Sequence, residues 1–247
     1  MNAIVKKLFG TLVTIGLLYV LIHASWYNYL FKGVYATYLQ GHTTANIFDG
    51  EYFDQGIIHA PPVGIPWPEA KSAEWAPPIE IQQALDVYET GAFLVIHNDS
   101  IRHEDYGNKV MANTKTNSFS MAKSILTMMV EIAIESGDLP GWDALAIDYV
   151  KELHGPGASQ LTLAHLTGML ADLDWDEDYY NPFGITAKAL YGRDLRATVT
   201  GCAVGDQVGR HYEYQSGATA LLGFCLEEAT GMPLAEYASE KLWLRSE

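Results

Sequence analysis

The sequence predicts an α/β fold of the α+β kind: an antiparallel hairpin and a long helical region set behind an N-terminal membrane helix. Three observations predict it. An uncharged apolar run, Leu8 to Ile22, follows Lys6 and Lys7. Ala92 to Tyr106 reads as two short strands around Asn98-Asp99-Ser100, residue types that suit a tight turn. From Phe119 to Ser136, the apolar residues Ile125, Met128, Met129, Ile132 and Ala133 recur at helical spacing.

Taken in order, residues 1–31 form the expected anchor. The run Leu8–Ile22 is short for a span of about 20 residues, but it reaches that length if His23, Ala24 and Ser25 are tolerated. The lysines before it favour a cytoplasmic N-terminus and an exported remainder. Trp26, Tyr27 and Tyr29 suit the far interface. A cleaved signal peptide is the rival reading, although Ile22-His23-Ala24 makes a poor cleavage site. Residues 32–247 form the expected body. Its first part, to residue 80, is irregular and rich in Pro and aromatics (APPVGIPWPEA, EWAPPIE), which suits a segment wrapped on the body. Ile81–Thr90 is a short helix, Ala92–Tyr106 the hairpin, and Phe119–Ser136 a helix capped by Asn117 or Ser118 and ended by Gly137. Residues 138–212 read as short helices and loops, and 217–230 and 233–243 as two further helices.

Composition excludes several functions. The formal charge of −15 would repel nucleic-acid phosphates. Eight histidines are scattered without a His-Glu-x-x-His pattern, and the two cysteines, Cys202 and Cys225, form no zinc spacing, so no metal or other cofactor is expected. The cysteines could pair in an oxidising compartment; Cys225 lies in an apolar helix, which favours a buried free thiol. Gly201, Gly205 and Gly209 do not match a dinucleotide loop, and there is no Gly-x-Ser-x-Gly elbow.

Ser120-Met121-Ala122-Lys123 carries the chemistry. It stands where a polar stretch gives way to the apolar helix, so Ser120 lies in the first turn with Lys123 one turn later on the same face. That spacing brings an amine to a hydroxyl and points the positive helix end at its oxygen, two aids a serine nucleophile needs. The structural alternative is a capping serine and a solvated lysine. Downstream, Tyr214-Gln215-Ser216 precedes a second apolar helix (Leu221, Leu222, Phe224, Cys225). Its structural alternative is a core tyrosine followed by a capping serine. Trp175, within the acidic run Asp172 to Asp178, could line a substrate cleft or pack beneath a loop.

Together and in this order, the two boxes resemble those of the serine β-lactamase and penicillin-binding-protein superfamily. Ala92–Gly107, Gln160–Glu177 and Thr230–Trp243 resemble segments of its class-C-like esterase branch, and Tyr38–Gly56 is similar to relatives of 6-aminohexanoate-dimer hydrolase. The resemblance implies an antiparallel sheet built from both chain ends with a helical region inserted between them. It implies that Ser120 attacks a carbonyl, Lys123 relays its proton, and Tyr214 acts as general base with Lys123. Ser216 would bond Lys123 or substrate, and the Ser120 N–H would serve the oxyanion.

There are departures. The superfamily's third box, Lys-Thr-Gly or His-x-Gly on a strand, is absent between Tyr214 and Glu247; Lys115-Thr116-Asn117 and His154-Gly155-Pro156-Gly157 come too early. Ala171-Asp172 replaces the usual Ser-Gly. The sequence therefore reads as the front of a longer protein whose C-terminal strands are missing, and the hairpin is expected to expose an unpaired apolar edge. The function expected is a membrane-anchored serine hydrolase of the inner membrane, facing the periplasm and acting on a small ester or amide. A non-catalytic cell-envelope binding protein is the alternative, and β-lactamase activity a third.

Overall fold

The computed structural model describes residues 3–64, 66–70, 75–107 and 109–244. The expected chain end at 245–247 and part of the Pro-rich segment, 71–74, lie outside the described residues. The chain forms two compact units: the part up to His59 together with Asn117 onward, and Ala60–Thr116.

The smaller unit consists of a short helix over Ile79–Val87 and a hairpin. The strands β1 (Ala92–His97) and β2 (Ser100–Tyr106) pair antiparallel from Ala92↔Tyr106 to His97↔Ser100, with an irregularity between Val95 and Ile96. Asn98 and Asp99 have φ of 50° and 54°. Two successive left-handed residues make the turn that follows the natural strand twist, and Asn and Asp tolerate it best after Gly. The expected bare edge is paired at one point on the β2 side, at Ile101. Ile101 N–H donates to Pro68 O (2.8 Å) and Ala70 N–H to Ile101 O (2.9 Å), a parallel bridge. Among the described residues β1 and β2 are the only strands.

The larger unit begins with α1 (Ala3–Ala24), whose apolar side chains are exposed along nearly its whole length. Its 22 residues rise about 33 Å, enough for a hydrocarbon core. The segment Ile4–Ala24 is long and apolar enough to cross a membrane. The next helix, α2 (Tyr29–Ala36), straddles the expected boundary at residue 31. It belongs to the body because Tyr29 and Ala36 are buried with Tyr191, the last residue of a later helix, Ile185–Tyr191.

The main core lies among four helices, here α3 (Met121–Ser136), α4 (Leu163–Thr167), α5 (Ile185–Tyr191) and α6 (Leu195–Thr200), and two more, α7 (Ser216–Thr230) and α8 (Leu234–Ala238); the helix of the smaller unit keeps its residue range as its name. Val130 of α3, Leu163 and Leu166 of α4, Val199 of α6, Leu221 and Leu226 of α7 and Tyr237 of α8 are fully buried in one cluster. Each large aliphatic side chain among them stabilises the fold by about 1.5–3 kcal/mol. Gly137 ends α3 in a left-handed conformation (φ 82°), as the sequence predicts. Both cysteines are free and buried, and burial pushes the Cys225 thiol up to about 12.

The loop His154-Gly155-Pro156-Gly157 has a packing role. Val204 N–H donates to His154 O (2.9 Å) and Gly157 N–H to Val204 O (3.3 Å). A Cβ on Gly157 would lie 2.0 Å from Gly205 O, so only glycine lets the two backbones meet. Asp172, at the Ala171-Asp172 departure, accepts from Gln207 N–H (2.8 Å) and so ties down the same neighbourhood.

Candidate active site

The chain enters α3 through an unusual backbone turn. Phe119 has φ of 45°, a left-handed conformation costing a bulky residue on the order of 1–2 kcal/mol. What holds it is a buried clasp just upstream. Asn117 N–H donates to Ile47 O (2.9 Å), and its side-chain amide donates to Asn46 O (3.1 Å) and to the carboxylate of buried Asp49. Asn117 is thus occupied elsewhere and does not cap the helix. Neither does Ser118: the residue at the N-cap position is Ser120, and its side chain makes no capping bond. Ser120 sits one step earlier than the expected first turn, with its hydroxyl free to face other partners. Its backbone N–H has no acceptor among the described residues.

Those partners come from one turn along α3 and from the start of α7. Lys123 Nζ donates to Ser120 Oγ (3.2 Å), and the Tyr214 hydroxyl donates to the same oxygen (2.5 Å). Lys123 Nζ also donates to Ser216 Oγ (3.0 Å) and stands 5.1 Å from the centre of the Tyr214 ring. Such a distance suits a cation–π contact. Ser120, Lys123, Tyr214 and Ser216 therefore meet in space, although the first and third are 94 residues apart.

The Tyr214 box is clamped from behind. Gln215 is fully buried; its side chain accepts from Leu173 N–H (3.0 Å) and donates to Leu173 O (2.7 Å). Ser216 then opens α7 with its N–H donated to Glu177 Oε2 (2.7 Å) and its hydroxyl donated to Glu177 Oε1. Trp175 Nε1 donates to Glu177 Oε2 (2.6 Å), and the Tyr179 hydroxyl to Glu177 Oε1. Burial alone would raise this carboxyl, but the hydrogen bonds from Ser216, Tyr179 and Trp175 outweigh it and hold it below the usual carboxylate range. Tyr179 responds in the opposite sense: burial and the adjacent carboxylate push its phenol up to about 12.

Trp175 lies in the core, 6% exposed. Its ring covers Gly217, where a Cβ would fall 2.5 Å from it. Its link to the site runs through Glu177. Glu177 is the residue that sequence reasoning missed. The only signal for it was its place in the acidic run, where such residues are most often solvated.

Beside Lys123 and Ser216 opens a groove of about 660 Å³ between α3, α7 and α8. Phe119, Met121, Met129, Phe224 and Trp243 are among its walls, which are mostly apolar. The described residues contain no cluster of His, Cys, Asp and Glu suited to a metal ion.

The sequence profile of the beta-lactamase family matches residues 81–245, more than half of the chain. The chain belongs to the beta-lactamase family. Among its relatives is the 6-aminohexanoate-dimer hydrolase of Paenarthrobacter ureafaciens, 23% identical over 176 residues. That match covers 67% of this chain and 45% of the relative. Among solved structures, the "Putative 6-aminohexanoate-dimer hydrolase from Bacillus anthracis" superposes with a TM-score of 0.61 at 19% identity. It covers 87% of this chain and 59% of that one. The chain thus spans about half the length of the relatives it matches, and it shares with them the beta-lactamase-like fold of helices and antiparallel sheet. Within this family, hydrolase relatives support a hydrolase.

Proposed function

We propose that the chain is a serine hydrolase working by acyl transfer to Ser120 on a small ester or amide, with residues 32–247 as its hydrolase part. The observation that carries this reading is a single oxygen, Ser120 Oγ, lying 2.5 Å from the Tyr214 hydroxyl and 3.2 Å from Lys123 Nζ. With one proton absent from the phenol–ammonium set, the Tyr214–Lys123 pair can take the Ser120 proton as the oxygen attacks a carbonyl carbon. The Ser120 N–H, at the positive end of α3, faces the oxyanion that forms. Collapse of the tetrahedral intermediate breaks the bond to the alcohol or amine, which leaves with a proton returned through Tyr214. Water, deprotonated by the same pair, then cleaves the acyl-enzyme and regenerates Ser120.

The membrane is the second element of the proposal. The exposed apolar α1, with Lys6 and Lys7 near its N-terminal end, supports an anchor with the hydrolase part on the extracytoplasmic side. A fluorophosphonate probe tests the chemistry: it should label the intact protein, and Ser120→Ala should abolish the label. Labelling of Ser120→Ala at the wild-type level would refute the assignment.

The alternative reading is a non-catalytic binding protein of the same fold. Such a protein would retain an acyl ligand without turnover, and steady release of product from an ester probe would dismiss it.

A further inference from the structure

We infer that Glu177 is a positioning residue for this site: it fixes the Ser216 hydroxyl so that Lys123 is held against Ser120. The inference rests on the serine-hydrolase reading above and adds a residue to it.

An ionised carboxylate accepts only, through about four lone-pair sites. Four donors converge on Glu177. The Ser216 and Tyr179 hydroxyls reach Oε1, while the Ser216 N–H and Trp175 Nε1 reach Oε2. Every acceptor site is therefore filled, two donors to each oxygen. The Ser216 hydrogen is committed to Glu177, so the Ser216 oxygen is left as an acceptor. Its contact with Lys123 Nζ at 3.0 Å then has one possible sense, with the lysine donating. A lysine tethered this way keeps its nitrogen 3.2 Å from Ser120 Oγ instead of sweeping through its rotamers.

The same carboxylate holds the Ser216 N–H at the first turn of α7, where negative charge is favourable. This fixes the backbone two residues beyond Tyr214. Glu177 touches neither Ser120 nor, by any hydrogen bond among the described residues, Lys123. It acts through Ser216 alone. An amide in its place would offer one acceptor oxygen and turn an NH2 group toward the donors on the other side. Ser216 would then be free to rotate and to compete for its own lone pairs.

The test uses Glu177→Gln in the intact protein, with p-nitrophenyl butyrate as the ester probe and fluorophosphonate titration to count working sites. The expected result is a kcat lowered about 10- to 100-fold per titrated site with KM nearly unchanged, a part of what a positioned base supplies. A merely structural Glu177 would lower the melting temperature and the number of titrated sites but leave kcat per site at the wild-type value, and that outcome would overturn the inference. Ser216→Ala removes only the hydroxyl and serves where Glu177→Gln fails to fold. It should show the same loss of kcat, and a wild-type kcat would again overturn the inference. The two readings separate cleanly. A wild type that is labelled, with variants equally fast, sinks the role of Glu177 and leaves the hydrolase standing; a wild type that is neither labelled at Ser120 nor active on the ester sinks both.

Discussion

Glu177 gathers four hydrogen bonds onto one half-buried carboxylate, and this makes its contribution to stability dependent on pH. Its carboxyl is held below the usual range in the folded protein. A depressed folded value stabilises the protein above the unfolded value, and that stability is lost as pH falls through the folded one. The difference in melting temperature between wild type and Glu177→Gln should therefore be largest near neutral pH and shrink as the buffer is taken down through the carboxylate range. A difference that grows on acidification would contradict the sign. At this scale the sequence was informative where chemistry is local. Ser120 and Lys123 are one helical turn apart, so their spacing alone places amine beside hydroxyl. Glu177 is one of 30 acidic residues, and nothing local separates it from its neighbours Asp176 and Asp178. Only the fold, by bringing Ser216 and Trp175 to it, gives it a role. Trp175 stayed open between a cleft wall and a packed ring for the same reason: an indole beside acidic residues suits either, and only the fold puts its ring over Gly217.

Elements were legible where their boundaries are set by nearby residues. The hairpin turn follows from Asn98-Asp99, and the end of α3 from Gly137. The helix α2 was missed because its burial depends on Tyr191, far along the chain, and its own sequence runs on from the anchor without a break. α3 starts two residues later than expected, at Met121 instead of Phe119, and Asn117 does not cap it because it spends its side chain on Asp49 and Asn46. The loop His154–Gly157, which imitates a catalytic box, is instead a backbone contact, and this can be tested directly. Gly157→Ala would drive a methyl group to 2.0 Å from Gly205 O, so backbone must move. A loss of about 3 kcal/mol is expected in chemical denaturation, the upper range for an overpacked site. A change within about 0.5 kcal/mol, as at an ordinary surface position, would show that the contact is not tight.

On the scale of the molecule, the apolar character of α1 and the mixed fold behind it were both visible in the sequence, the first because a membrane demands an unbroken apolar run, the second because strand and helix periods differ. Deleting Ala3–Ala24 should leave the protein at the bottom of a vesicle flotation gradient, while the intact protein floats with the vesicles. An intact protein that stays in solution would remove the anchor from the proposal. The pairing of β2 with Pro68–Ala70 could not be foreseen, since that bridge joins an irregular segment to a strand through backbone groups alone.

The separation of 94 positions from Ser120 to Tyr214 also sets a clock. At about 5–20 residues per second of synthesis, roughly 5 to 20 s pass between the two residues leaving the ribosome's catalytic centre. Through that interval the nascent chain carries a serine with its lysine but without its tyrosine, its Ser216 tether or the first turn of α7. On the serine-hydrolase reading, the four side chains of the site come together only once α7 docks against α3.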